Sequence, residues 1–208
     1  MSDKKYIHAL LYLFVFILTL LLLAEGTVIP IHSFKPVGLA ITISILLYGL
    51  FEKWVWKWRL FHPWFVSTPN ISGTWKGQLI SNWINPETNQ LIPAIEAYLI
   101  IRQTLHSIQV KLVTSQSSSD LIGGRLKKKG DSTYQITGVY INTAKLSYRE
   151  KSPIHFGGIL LEVQENSILM LEGHYWTDRK TGGEMFFKEH KNIICASFED
   201  AKNIFNKY

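Results

Sequence analysis

The sequence predicts an N-terminal two-helix transmembrane hairpin followed by an all-β domain, an antiparallel up-and-down β-barrel of about eight strands with a short C-terminal helix. Three observations lead there. Two long apolar runs occupy the first sixty residues and have no counterpart later. From Gly73 the hydrophobic period changes to two. Turn-forming residues then recur at even spacing, with no helical stretch between the alternating segments.

The first apolar run, Ile7 to Ala24, is interrupted only by His8 and Thr19. The second, Val37 to Phe51, has only Thr42 and Ser44 as polar side chains. A hydrocarbon core about 30 Å thick takes about 20 mostly apolar helical residues. The second run is short, and Trp54, Trp56 and Trp58 extend it by forming an interfacial belt. Lys53, Lys57 and Arg59 alternate with them and can snorkel. One rival reading is a signal peptide cleaved near Leu23 to Gly26 and followed by a single anchor. The apolar run is long for that, and the small-x-small signature is poor. Another makes both runs core helices of a soluble protein, but neither has a polar stripe.

Lys4 and Lys5 precede the first span, Lys35 alone lies in the connecting loop, and Lys53, Lys57 and Arg59 follow the second. The positive-inside rule puts both termini in the cytoplasm. Residues 1–60 then form the hairpin and 61–208 a cytoplasmic barrel domain, with His62 to Pro69 as the hinge. The single cysteine, Cys195, agrees with a reducing compartment.

The net charge is +6 and the pI about 9.3. Residues beyond Leu60 hold sixteen Lys/Arg against thirteen Asp/Glu, so half of the excess belongs to the membrane-flanking segment. The remainder is too small to mark a DNA or RNA polymer as partner. It leaves room for a small anion.

Strands are expected near Gly73–Ser81, Ile95–Thr104, Ser107–Thr114, Ser119–Lys127, Thr133–Asn142, Ile154–Val163, Ile168–Thr177 and Glu184–Glu189. Turn chemistry occupies 85–89, 128–132, 164–167 and 178–183. Gly77, Gly123, Gly124, Gly138, Gly157, Gly158 and Gly173 fall inside strand patterns, as the bends and bulges of a closed barrel require. After Cys195, Ser197 is placed to cap a helix whose Phe198, Ala201 and Phe205 share one face.

No catalytic constellation emerges. Gly124 to Gly130 has the wrong spacing for a phosphate loop, and there is neither an HExxH metal motif nor a GxSxG elbow. His174, Asp178 and Glu184 fit the solvent side of a hairpin better than an acid–base pair. The chain reads as a non-enzyme with no cofactor and no metal.

One set of residues does suggest binding. Every second residue from Leu171 runs Leu171, Gly173, Tyr175, Thr177, Arg179, Thr181, Gly183. Strand alternation puts the first of these on one face, which changes from apolar to aromatic, hydroxyl and guanidinium towards the turn. Tyr140 with Asn142, and His155 with Gly157, repeat the spacing. Arginine with hydroxyl donors suits phosphate, and aromatic rings stack on bases. A purely structural role fits as well, with Tyr175 filling the barrel and Arg179 solvated. Trp75, in Gly73 to Gly77, reads as the plug of the barrel's end.

Two apolar helices, Ile-Ser-Gly-Thr-Trp-Lys-Gly at 71–77, Tyr140-x-Asn142, His155-x-Gly157 and the 171–183 series come in an order that resembles the two-transmembrane β-barrel effectors of bacterial CBASS anti-phage systems, encoded beside CD-NTase enzymes. Ala144 stands where that family often has proline. The resemblance implies a bacterial inner-membrane protein that binds a cyclic nucleotide, assembles into a homo-oligomer and disrupts the lipid bilayer. It implies ligand contacts at Tyr140, Asn142, His155, Tyr175, Thr177, Arg179 and Thr181. The alternative is a membrane-tethered, lipocalin-like barrel for an apolar or lipid ligand.

Overall fold

The computed structural model describes residues 3–25, 34–130, 133–165 and 169–207. Most of the loop between the two spans, and the turn residues at 131–132 and 166–167, lie outside the described residues. The chain divides into two compact units, Met1–Val66 and Ser67–Tyr208.

The first unit contains helices α1 (Asp3–Glu25) and α2 (Lys35–Lys53). By length and composition both can cross a membrane, over Lys4–Ala24 and Lys35–Lys53. The large apolar side chains Ile7, Leu11, Val15, Phe16, Leu20 and Leu23 of α1 are exposed. A helix that is apolar all round lacks the polar face of a water-soluble surface helix. On α2 the small residues Pro36, Ala40 and Ser44 recur every four positions and are buried. Small side chains let helix backbones approach closely in lipid.

After α2 come two 3-10 turns, Val55–Lys57 and Arg59–Phe61. Of the three tryptophans of the expected interfacial belt, Trp54 and Trp58 are exposed and Trp56 is fully buried.

In the second unit the strands are β1 (Gly73–Ser81), β2 (Ile84–Asn85), β3 (Gln90–Leu91), β4 (Ile95–Gln103), β5 (Ile108–Thr114), β6 (Ser117–Lys128), β7 (Tyr134–Ala144), β8 (His155–Glu165), β9 (Leu169–Thr177) and β10 (Gly182–Lys191). Eight of them form a closed antiparallel barrel in the order β1-β10-β9-β8-β7-β6-β5-β4, while β2 and β3 make a small separate hairpin. Closure falls on β1, which pairs with β4 through Gly73↔Ile101 to Leu79↔Ile95 and with β10 through Thr74↔Lys191 to Ser81↔Gly183.

Inward-facing Trp75, Leu99, Ile101, Ile136, Leu161, Leu171, Met185 and Phe187 form the core and are almost wholly buried. Trp75 seals the end at which the chain enters. Its ring stacks on His190 at 4.3 Å, and its indole N–H donates to the Ile71 carbonyl at 3.0 Å. Gln103 holds the entering segment from both sides, accepting from Ile71 N–H and donating to the Pro69 carbonyl, each at 2.9 Å. Outside the barrel, helix α3 (Phe198–Asn206) lays Phe198, Ala201 and Phe205 over Tyr98, Ile100 and Val113. Ser197 caps it by accepting from Asp200 N–H at 3.1 Å.

Two glycines carry the bends. Gly123, at φ 67°, allows the bulge between Ile122 and Arg125 in the pairing of β6 with β7. Gly77 sits at the register shift of β1 against β10, where a Cβ would lie 1.9 Å from the Phe186 carbonyl oxygen. Gly77→Ala therefore overpacks a methyl against the Phe186 backbone and should cost about 1–3 kcal/mol in chemical denaturation. Gly130→Ala, whose Cβ meets nothing within 4 Å, should stay within about 0.5 kcal/mol of the parent.

Candidate ligand-binding site

The end of the barrel opposite Trp75 is open. A cavity of about 520 Å³ enters there, within the usual range of about 300–1,000 Å³ for small-molecule sites. Its floor is apolar, from Leu79, Leu99, Val110, Leu112, Ile159 and Met185. Its mouth is polar. All seven residues singled out from the sequence, Tyr140, Asn142, His155, Tyr175, Thr177, Arg179 and Thr181, line this one cavity.

Strand register brings them together. Ser119 lies opposite Asn142, and Asn142 opposite His155, in one row across β6, β7 and β8. The next inward row runs Leu121, Tyr140, Gly157, Thr177. Below it lie Ile159, Tyr175, Gly183 and Ser81. Each tyrosine is matched to a glycine beside it. A Cβ on Gly157 would lie 2.4 Å from the Tyr140 hydroxyl, and one on Gly183 would lie 2.9 Å from that of Tyr175. The glycines let the rings lie across the neighbouring strand instead of filling the mouth.

Tyr140 is buried, and its hydroxyl donates to the Trp176 carbonyl at 3.3 Å. Burial pushes its pKa well above the ordinary phenol value, with Tyr175 and Asp178 adding to the shift. Tyr140 thus stays a neutral donor throughout the neutral range. Asn142 donates from Nδ2 to Ser119 Oγ at 2.8 Å and to Ser117 Oγ at 3.2 Å. Its buried Oδ1 has no hydrogen-bond partner among the described residues. A buried acceptor left unpaired costs free energy, and here it is a ready acceptor for a ligand N–H.

The rim is the β9–β10 turn. Thr177 Oγ1 and Thr181 Oγ1 meet at 2.8 Å, and Lys180 takes a positive φ of 60° to close the turn. Arg179 reaches across to the β7–β8 connection, donating from Nη1 to Ser152 Oγ at 3.2 Å and from Nη2 to the Lys151 carbonyl at 3.5 Å. His155 Nδ1 faces the Pro153 carbonyl at 2.9 Å, which fixes Nδ1 as the donor. Arg179, Lys151 and His155 line the mouth with no Asp or Glu among the lining residues. Asp178 is near, but its carboxylate accepts from Phe156 N–H at 3.1 Å.

Several lining residues escaped the sequence reading: Trp83, Gln116, Ser117, Ser119, Tyr148, Lys151 and Ser152. Ser119 could have been found from the register opposite Asn142. Ala144 is buried and pairs with Ser117, so β7 continues through the position where the resembling family often turns on proline.

The sign of the Tyr140 shift predicts a pH dependence. A phenol whose folded pKa is raised keeps its proton when the unfolded chain has lost it, so stability falls as pH rises above the unfolded value of about 10. Tyr140→Phe should remove part of this alkaline loss in urea melts. It should leave unchanged the number of tyrosines that titrate near pH 10 in ultraviolet absorbance.

Comparison with known proteins adds two findings. Residues 66–189, from just before the barrel to near the end of β10, match the family described as "Cap15, cyclic dinucleotide receptor domain". A relative from Staphylococcus schleiferi, CD-NTase-associated protein 15, is 28% identical over 173 residues, covering 83% of this chain and 88% of that protein.

Proposed function

The chain belongs to the Cap15 family of CBASS effectors with a cyclic dinucleotide receptor domain, and from that premise we propose that its barrel binds a cyclic dinucleotide at the open mouth, self-associates, and thereby drives the helical hairpin to disrupt the bacterial inner membrane. The observation that carries the binding step is the gathering of Tyr140, Asn142, His155, Tyr175, Thr177, Arg179 and Thr181 around one cavity whose mouth is cationic. Arg179 and Lys151 supply positive charge for phosphate, Thr177 and Thr181 supply hydroxyls, and Asn142 Oδ1 supplies an acceptor for a base. The protein acts as a receptor, not an enzyme.

Self-association is supported by the outer face. Ile122, Val139 and Trp176 are each more than half exposed and are joined by register through Gly158, with Phe156 on the adjoining row. A Cβ on Gly158 would lie 2.2 Å from the Trp176 ring, so the indole lies flat on the strand. Contiguous exposed apolar surface of this kind marks an interaction site. At the membrane, Lys4 and Lys5 before the first span and Lys53, Lys57 and Arg59 after the second support a topology with both termini in the cytoplasm. A two-helix hairpin is too small to line a wide pore alone, so damage requires several copies. The apolar floor supports the second reading, an apolar or lipid ligand.

Arg179→Ala should weaken cyclic dinucleotide binding by roughly 10- to 100-fold in calorimetry, the loss of a charge-assisted hydrogen bond of ~1.5–3 kcal/mol, with the melting temperature unchanged. Binding of a fatty acid but not of any cyclic dinucleotide would favour the second reading. Val139→Glu should keep nucleotide affinity while abolishing ligand-induced cross-linking and toxicity in membranes. Full toxicity from a chain that stays monomeric after ligand addition excludes the proposed mechanism.

A further inference from the structure

Resting on the cyclic dinucleotide reading, we propose that Trp83 and Tyr148 are paired base-stacking platforms that grip the two bases of the ligand from opposite rims of the barrel. Trp83 lies in the β1–β4 connection and Tyr148 in the β7–β8 connection, and both line the cavity mouth. Starting from the gap between β4 and β1, the barrel order runs β1, β10, β9, β8, then β7, β6, β5, β4. Four strands therefore separate the two connections in either direction, so they stand across the mouth from each other. The turn that carries Arg179 joins β9 to β10, midway along one of these arcs.

This arrangement matches the ligand's chemistry. A cyclic dinucleotide has two flat bases projecting from opposite sides of a ring that carries two phosphates. Two aromatic faces with a cation between them present the same order of groups. Both aromatics are held by their backbones. Trp83 N–H donates to Ser81 Oγ at 3.2 Å, and the preceding Asn82 exchanges two bonds of 2.8 Å with Gly182. Tyr148 N–H donates to the Lys145 carbonyl at 2.9 Å, and its carbonyl accepts from Ser152 N–H at 2.8 Å. Ser152 is in turn the partner of Arg179, so the phosphate-facing cation and the Tyr148 rim are tied together. The two residues are 39% and 38% exposed, and their rings offer apolar surface at the cavity mouth that a base would cover. Base–aromatic stacking tolerates any base, because every base has a π-face.

The test uses the full-length chain in detergent, titrated with cyclic di-AMP, cyclic di-GMP and cyclic di-UMP, and with inorganic pyrophosphate as a probe without bases. Trp83→Leu and Tyr148→Leu should each weaken dinucleotide binding roughly tenfold or more and leave pyrophosphate binding unchanged. Trp83→Phe and Tyr148→Phe keep a ring and should stay within about threefold of the parent. Nucleotide should quench tryptophan emission in the parent, and most of that quenching should vanish in Trp83→Phe, which reports on the ring even where a leucine variant folds poorly. If the parent binds dinucleotide and both leucine variants bind as tightly, the platforms are refuted while the receptor reading stands. If the parent binds none of the three dinucleotides, the receptor reading fails and the platforms with it.

Discussion

Everything in the second unit depends on β1 pairing along both of its edges. Hydrogen bonding to β4 on one side and β10 on the other leaves no open sheet edge and converts eight hairpin-linked strands into an enclosure. Enclosure creates an inside, and β1 also decides which end of it is filled. Its first residues bring in Trp75 with the Ile71 and Gln103 contacts that stopper the base, and its last, Ser81, lines the cavity. The bulge at Gly77 lies between these two tasks. Backbone approaches Gly77 so closely that only a residue without a side chain permits the strand to turn from plug to lining.

The cavity exists because side chains that would fill an eight-stranded barrel are withheld from its upper half. Large residues alternate with small ones in rows: Tyr140 beside Gly157, Tyr175 beside Gly183, and Asn142 beside Ser119. The same substitutions change the electrostatics. Below the tyrosines the lining is hydrocarbon, and above them hydroxyl, amide, guanidinium and imidazole groups join the rings of Trp83 and Tyr148. A ligand with flat apolar faces and a charged edge meets complementary surface along that gradient.

Strand existence was legible in the sequence because alternation is imposed wherever one face of a strand packs against a core. The expected bounds Gly73–Ser81 coincide with β1, and the other seven strands differ by a few residues at their ends. The β2–β3 hairpin was not legible, since two residues per strand hold no period. In the site, the residues on regular strands could be grouped by their spacing alone. Ser117 and Ser119 needed the partner register, and Trp83, Tyr148, Lys151 and Ser152 lie in connections whose course depends on tertiary bonds such as Arg179 to Ser152.

The alternation that made the strands readable also joins the two faces of the barrel wall. On β9, Tyr175 points into the cavity, Trp176 lies on the outer face and Thr177 returns to the mouth. The Tyr140 hydroxyl holds the Trp176 carbonyl at 3.3 Å, and Gly157 is pressed between that carbonyl and the Tyr140 ring. The Trp176 ring in turn rests on Gly158 in the row that contains Val139 and Ile122. One hydrogen bond therefore links a cavity-lining side chain to the backbone of a tryptophan on the exposed apolar row. A closely packed wall has no slack to absorb a displacement on one side. In the proposed mechanism, a ligand that shifts Tyr140 acts directly on the surface through which copies would assemble, so binding and assembly need no long pathway between them.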